Sequence, residues 1–448
     1  MTLMNKKSTG LNLLQSGLTA EQRKWRWRVL TATYFGYAGY YLTRKVFTIC
    51  KTSLADEFNV GLDSIAHIWT AYLVAYMLGM FINSFIGRRW GPRILLLAGL
   101  GISIIINIIF GFANSVSTFL VFMFFNGLVQ ASGWPGTVGG AAQWIRRKER
   151  GVIMGFWSTN YLVGNVMVKM LGGYLLGMSG WRYAFWGATL AAFVIWWLLF
   201  FWQRTKPEDV GLEPIVGQEP ETAQEVKVSQ EERLSFRKYS KLLLNPVIPL
   251  MGLSYFCIKF LRYALDSWLP TFLNLQGLDT ATAAYYSTIF DYAGLGGVLF
   301  AGFALDRFFK SRWENVSLVM AIGLVGGYFL VLKFGQDPVA MAICFGLVGF
   351  MLYGPDSLLC GAASVQVAGE KNAVAVAGLV NGLGSIGPII QEEVIGWLMS
   401  GKSAETGMHN TNLLAIVMSI LLVLFLTVIS LYLRKKRQEQ TVKQTDAG

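Results

Sequence analysis

Residues 93–112 read RILLLAGLGISIIINIIFGF, one arginine followed by nineteen residues without a formal charge. Wound as an α-helix at 1.5 Å per residue, such a block is about 30 Å long, the thickness of a bilayer's hydrocarbon core. Working outward, twelve blocks of this kind appear, at 29–50, 65–86, 93–112, 117–140, 151–176, 182–202, 247–273, 281–303, 315–334, 338–361, 373–399 and 411–433. The expected fold is an all-α membrane protein with twelve spans.

The composition agrees. Of 448 residues 54% are hydrophobic and 14% charged, where a soluble domain carries about 25% charged residues. The mean hydropathy is +0.47, which argues against a cytosolic multidomain enzyme. The net charge of +12 sits between apolar blocks rather than on one basic face, so no nucleic-acid partner is expected and the bilayer is. Cys50, Cys257, Cys344 and Cys360 lie in or beside apolar stretches without a CxxC, and His67 and His409 are far apart. Neither a disulfide framework nor a metal site is expected, and no cofactor. No nucleophile–base pair or nucleotide loop points to an enzyme.

The loops alternate in charge. Lys6, Lys7, Arg23, Lys24, Arg26 and Arg28, then Arg88, Arg89 and Arg93, the run IRRKER at 145–150, DRFFKSR at 306–312, GEK at 369–371 and RKKR at 434–437 share one side. The other side offers little beyond Lys51, Arg182 and Lys402. Basic loops stay cytoplasmic; both termini are expected there, and the start of the chain lacks the apolar core of a secretory signal. The polar stretch 203–246, with Pro207, Pro214, Pro220 and eight acidic residues, reads as a linker. The organisation expected is a cytoplasmic N-terminus (1–28), a six-helix bundle (29–202), the linker (203–246), a second bundle (247–433) and a cytoplasmic tail (434–448).

The two bundles repeat. Arg44 and Arg262 are 218 positions apart, as are Arg88-Arg89 and Asp306-Arg307, while Pro135 of GWP and Pro355 of YGP, and Gly164 and Gly384, are 220 apart. Transporters of two related halves hold substrate near the midplane and rock one half against the other.

Ionisable residues inside spans are expensive and mark function. Arg44, Lys45, Lys169, Lys259, Arg262, Asp266, Asp291, Asp356, Glu392 and Glu393 lie there. An arginine pair suits phosphate, since each guanidinium offers two parallel, charge-assisted hydrogen bonds. Tyr37, Tyr41 and Arg44 share one helical face at i, i+4 and i+7, and Lys259 and Arg262 form a stripe at i and i+3. Arg262 alternatively bridges to Asp266 at i+4, and Arg44 and Lys45 alternatively snorkel. Lys169 is a third cation or a partner for an acid. Asp356, Glu392 and Glu393 are read as gating bridges or interfacial residues, and the Trp196-Trp197 stripe as packing.

The stretches YYLTRKVF (40–47), NGLVQASGWP (126–135), KERGVIMGFWSTNYLVGN (148–165), LRYALDSWLPTFL (261–273), FDYAGLGG (290–297), GFALDR (302–307) and FMLYGP (350–355) resemble the organophosphate:phosphate antiporters. These are a branch of the major facilitator superfamily that includes glycerol-3-phosphate, hexose-6-phosphate and eukaryotic sugar-phosphate exchangers. The resemblance implies a monomeric, multi-pass inner-membrane exchanger of an organic phosphate ester for inorganic phosphate, with Arg44 and Arg262 as phosphate ligands and Asp291 matching the acidic residue of helix 8. Tyr37, Tyr41, Tyr161, Lys169 and Lys259 complete the expected substrate-binding set, and Asp266 and Asp291 the gating or coupling set. The chain departs from the glycerol-3-phosphate branch at Met80, Gly139 and Tyr161, where that branch carries a lysine, a basic residue and a histidine. A phosphoglycerate exchanger, a membrane sensor of phosphate esters and a proton-coupled organic-anion symporter are the alternatives.

Overall fold

A computed structural model describes residues 18–146, 153, 159–215, 244–368, 370–401 and 403–445. The 147–150 part of IRRKER, most of 151–158, the centre of the expected linker and Gly369 of GEK lie outside these residues. Every regular element described is helical: α1 (Ala20–Ile49), α2 (Lys51–Phe58), α3 (Leu62–Phe112), α4 (Val116–Gln130), α5 (Gly133–Ala142), α6 (Asn160–Ser179), α7 (Trp181–Trp202), α8 (Val247–Leu275), α9 (Thr280–Arg307), α10 (Trp313–Phe334), α11 (Pro338–Leu358), α12 (Ser364–Ala368), α13 (Glu370–Gly384), α14 (Ile386–Met399) and α15 (Ala404–Thr445). Among the described residues nine helices are long and apolar enough to cross a membrane.

The blocks expected at 29–50, 65–86 and 373–399 are helical but stand outside those nine. For the first and the last of them the sequence explains why. In α1 the central turns are rich in Tyr, Gly and Thr and carry Arg44 and Lys45, while the block at 373–399 is cut into α13 and α14 around Ser385. The blocks at 65–86 and 93–112 meet inside α3 at Gly91, whose φ of 78° and ψ of 166° break the helix just before Pro92. Only glycine takes that backbone readily.

The chain divides into two compact units: Met1–Phe47 with Ala71–Gln230, and Thr48–Thr70 with Glu231–Gly448. The hairpin Thr48–Thr70 thus packs with the second unit although the chain on both sides of it belongs to the first.

In the first unit α1 starts on a capping box, Thr19 N–H donating to Gln22 Oε1 (3.0 Å) and Gln22 N–H to Thr19 Oγ1 (3.2 Å). Its middle is fastened by buried polar groups. Asn107 Nδ2 donates to the Thr43 carbonyl (2.7 Å), Gln130 Nε2 to Thr43 Oγ1 (2.8 Å) and Ser103 Oγ (3.1 Å), and Ser103 Oγ to Asn126 Oδ1 (2.8 Å). One turn earlier the Tyr40 hydroxyl bonds to the Leu96 carbonyl and Ser132 Oγ, both at 3.0 Å. A polar group in an apolar interior needs a partner, so this network sets the rotation of α1 and turns Tyr37, Tyr41 and Arg44 to a different face. Phe110, Phe119, Phe185 and Trp181 form an aromatic core nearby, Phe110 and Phe119 stacked at 4.7 Å.

In the second unit α9 and α11 lie in close contact, and a Cβ added at Gly349 would stand 2.6 Å from the Phe290 carbonyl oxygen. α9 starts on Asp279, which accepts from the Ala281 (3.1 Å) and Thr282 (3.0 Å) amides; α11 starts on Asp337, which accepts from the Ala340 amide (2.7 Å). Beyond Leu358 the α11 helix widens into a π-turn over Leu359–Ala363 before α12.

Lys51 differs from its sequence reading. Rather than standing in a loop it opens α2, and its side chain and that of Glu392 in α14 are both at 0% exposure and paired. Ser267 Oγ (3.0 Å) and Trp268 Nε1 (2.9 Å) of α8 donate to Glu392 Oε2, and the ammonium lies 3.8 Å from the Trp268 ring. Glu393, the next residue, meets His67 at 2.8 Å.

Candidate functional site

The arginine of each unit has its own surroundings. In the first unit Arg44 is 7% exposed, and four tyrosines surround its guanidinium. The carbon of that group lies 3.9 Å from the Tyr41 ring, 5.6 Å from Tyr37 and 5.7 Å from Tyr76, and Nη1 donates to the Tyr72 hydroxyl at 3.5 Å. Tyr41 and Tyr37 come from α1; Tyr72 and Tyr76, one turn apart, come from α3. Trp134 of α5 meets Tyr37 edge-on at 5.4 Å, and Tyr161 of α6 lies 6.2 Å from Tyr41. Desolvated stacking on an aromatic face stabilises a cation by about 2 kcal/mol. It leaves the guanidinium's in-plane donors for other partners, and Arg44 Nε and Nη2 have no hydrogen-bond partner among the described residues. A buried cation with unused donors in one plane is chemically an anion receptor.

In the second unit Arg262 reaches from α8 to α11. Its Nη1 donates to Asp356 Oδ2 at 2.7 Å, and the Tyr353 ring lies 4.7 Å from the guanidinium carbon. The sequence offers Asp266 as an alternative intrahelical partner and reads Asp356 as a gating bridge or interfacial residue; the carboxylate on Arg262 Nη1 is that of Asp356. One turn earlier, Lys259 Nζ donates to Asn381 Oδ1 (2.7 Å) and Ser385 Oγ (3.0 Å), with the Tyr255 ring 5.2 Å away. Asp266 (7% exposed) and Asp291 (1%) are buried in α8 and α9, and Lys169 (2%) in α6.

The duplication extends to these contacts. Tyr41 and Lys259 are 218 positions apart, and Tyr161 and Asn381 are 220 apart. The pair Tyr41–Tyr161 of the first unit is therefore replaced in the second by Lys259–Asn381, at the same offsets as the other landmarks. Gly164 and Gly384 do matching work as well. A Cβ on Gly164 would stand 2.6 Å from that of Tyr41, and one on Gly384 would strike the Tyr255 ring. Each glycine lets a tyrosine of the arginine-bearing helix seat against a neighbouring helix.

Of the residues expected at the site, Tyr37 and Tyr41 join Arg44 directly and Tyr161 joins through Tyr41. Tyr72, Tyr76, Trp134, Tyr255, Tyr353, Asn381 and Ser385 were not singled out. The i, i+4 spacing of Tyr72 with Tyr76 and of Asn381 with Ser385, within spans, is the signal that could have found them.

Comparison with known proteins places these two units. The Major Facilitator Superfamily pattern matches residues 33–391. The chain is 28% identical over 386 residues to the glycerol-3-phosphate transporter of Bacillus subtilis, covering 83% of this chain and 85% of that protein. It is 29% identical over 367 residues to the membrane sensor protein UhpC of Salmonella typhimurium, covering 81% and 82%. These relatives match the organophosphate branch that the sequence resembles. Among solved structures, a bacterial homologue of the human lysosomal transporter Spinster, in an inward-facing occupied conformation, superposes with a TM-score of 0.73 at 16% identity, covering 92% of this chain and 98% of that one. That likeness speaks for the fold. The chain is a multi-pass inner-membrane transporter and belongs to the Major Facilitator Superfamily.

Proposed function

We propose that the protein is a secondary-active antiporter that exchanges a small organic phosphate ester, a sugar phosphate or glycerol 3-phosphate, for inorganic phosphate, and that it is a carrier rather than an enzyme. The observation that carries this reading is Arg44, a buried guanidinium that, among the described residues, has no carboxylate partner and leaves two donor nitrogens unused on its seat of tyrosine faces. Phosphate matches it in charge and in the spacing of its oxygens. Arg262 is the second phosphate ligand. Tyr37, Tyr41, Tyr161, Lys169 and Lys259 contact the remainder of the substrate, and Asp266 and Asp291 act in coupling.

The proposed topology has twelve spans, 29–202 and 247–433 forming the two six-helix halves, the linker 203–246 and both termini in the cytoplasm, and a monomer as the working unit. Transport follows alternating access. A phosphate dianion neutralises the arginines and favours the occluded state, and this difference in affinity drives reorientation. The empty carrier keeps an uncompensated Arg44 and crosses poorly, so flux is coupled exchange.

The sensor reading has one observation in its favour, the 29% identity to a membrane sensor protein. Counterflow in proteoliposomes separates the readings. For an antiporter, trapped inorganic phosphate drives uptake of labelled glycerol 3-phosphate or hexose 6-phosphate without a proton gradient. Binding without flux would make the protein a sensor, and flux only under a gradient a symporter.

A further inference from the structure

The two halves carry matched arginines, but among the described residues a carboxylate partner is seen for Arg262 alone. YGPD at 353–356 stands where the first half has GWPG at 133–136, an offset of 220, so the position matching Asp356 is Gly136. Gly136 has no room for a side chain, since an added Cβ would come within 2.8 Å of Leu96. The Arg262 and Asp356 side chains are 15% and 9% exposed, joined through one nitrogen and one oxygen at 2.7 Å. Asp356 Oδ1 is buried and has no hydrogen-bond partner among the described residues. This carboxylate therefore holds its arginine by a single point, where a guanidinium and a carboxylate can make two parallel bonds.

We propose that Asp356 is an internal competitor for the anion site at Arg262, held on the guanidinium in the empty carrier and displaced by phosphate. The proposal rests on the reading of Arg262 as a phosphate ligand. A carboxylate and a phosphate present the same pair of oxygens to a guanidinium, so only one of them occupies it at a time. A phosphate dianion brings twice the charge and takes both parallel bonds, which lets it prevail over the one-point contact. A monocarboxylate brings the charge and geometry that Asp356 already supplies and gains nothing by exchange. Asp356 thereby discriminates against carboxylate anions by a built-in rival rather than by a better contact to phosphate. It also keeps phosphate affinity low enough for release on either side, which an exchanger requires.

The experiment is phosphate binding by titration calorimetry to the full-length protein in nanodiscs, for wild type, Asp356→Asn and Asp356→Glu, with acetate as the competing monocarboxylate. Loss of a charge-assisted hydrogen bond of ordinary strength corresponds to at least about tenfold. Asp356→Asn should bind inorganic phosphate about tenfold more tightly or better, become inhibitable by acetate, and exchange more slowly because release is slower. Asp356→Glu should return toward wild-type affinity and selectivity. Unchanged or weaker phosphate binding in a folded Asp356→Asn protein overturns the proposal. If that variant does not fold, infrared difference spectra of wild type with and without phosphate decide instead. Displacement moves a carboxylate stretching band that the titration tracks, and its absence overturns the proposal. A wild-type protein that binds no phosphate at all overturns the reading of the site itself, a result distinct from one in which wild type binds and the variants do not differ.

Discussion

Glu392→Gln removes one charge from a pair that has no solvent on either side. The Lys51 ammonium and the Glu392 carboxylate are both at 0% exposure, and the carboxylate also accepts from Ser267 and Trp268. Truncating one member leaves the other as an uncompensated buried charge, which costs about 3–5 kcal/mol. Stacking of the ammonium on Trp268 at 3.8 Å offsets part of this when the acid is lost, by about 2 kcal/mol. No such compensation exists for Glu392 when Lys51 becomes Met, since its remaining partners are neutral donors. Lys51→Met should thus be the more damaging single change, at the upper end of the range, and Glu392→Gln the milder. The double variant Lys51→Met/Glu392→Gln leaves no stranded charge and should recover about 2 kcal/mol or more relative to the sum of the two. The assay is thermal unfolding of the detergent-purified protein followed by tryptophan fluorescence, with all four proteins in one buffer. Additive singles, or a Lys51→Met protein that melts with wild type, would refute the claim that this pair is a buried, desolvated bridge holding α2 to α8 and α14.

Arg44→Lys keeps the charge but loses the planar donor edge and the stacking on Tyr41, so phosphate affinity should fall by about 100-fold, read by calorimetry. Tyr41→Phe preserves the ring and should stay within about threefold of wild type, whereas Tyr41→Ala removes the stacking surface and should lose roughly tenfold. Lys259→Met strands the polar ends of Asn381 and Ser385 and should weaken ester binding more than inorganic phosphate binding in a competition assay. The Asp279 carboxyl, bonded to the Thr282 hydroxyl and the Thr282 and Ala281 amides at the start of α9, is held below the ordinary carboxylate range. Its contribution is complete above the ordinary value and is lost as pH falls through the lowered one. Asp279→Ala should destabilise by about 1 kcal/mol at neutral pH, and the difference in melting temperature from wild type should shrink on acidification.

The parts of the fold that were legible came from repetition and apolar length. A block such as 93–112 announces itself, and offsets of 218 and 220 linked Arg44 to Arg262 and Gly164 to Gly384 without any knowledge of contacts. Pairings across helices were not legible in the same way. The alternative partner Asp266 for Arg262 is visible in one dimension through its i, i+4 spacing, whereas Asp356 is 94 positions away and meets Arg262 only when α8 packs beside α11. Lys51 was assigned to a loop because hydropathy scores the ammonium and ignores Glu392, 341 positions later, which makes burial tolerable. The polar fastening of α1 lay in between. Ser103 with Asn107 and Asn126 with Gln130 are each one turn apart inside apolar spans, a spacing that points two donors or acceptors to one helix face.

Once the contacts are known, the repeat becomes informative through its failures. Two identical halves would carry two equivalent cations with identical surroundings. Here Tyr41–Tyr161 became Lys259–Asn381, and the glycine of GWPG became the aspartate of YGPD. Each change adds a polar group to the second half while the first keeps an aromatic wall. On the proposed reading Arg44 is the permanently available cation and Arg262 the conditional one, freed when an incoming anion outcompetes Asp356. Under the proposed function an ester brings an organic moiety besides its phosphate, and that moiety needs contacts unlike those of a bare anion, such as the aromatic faces around Arg44 and the hydrogen-bonding groups of Lys259 and Asn381. The divergence of the two halves supplies such a difference, which strict symmetry would have denied.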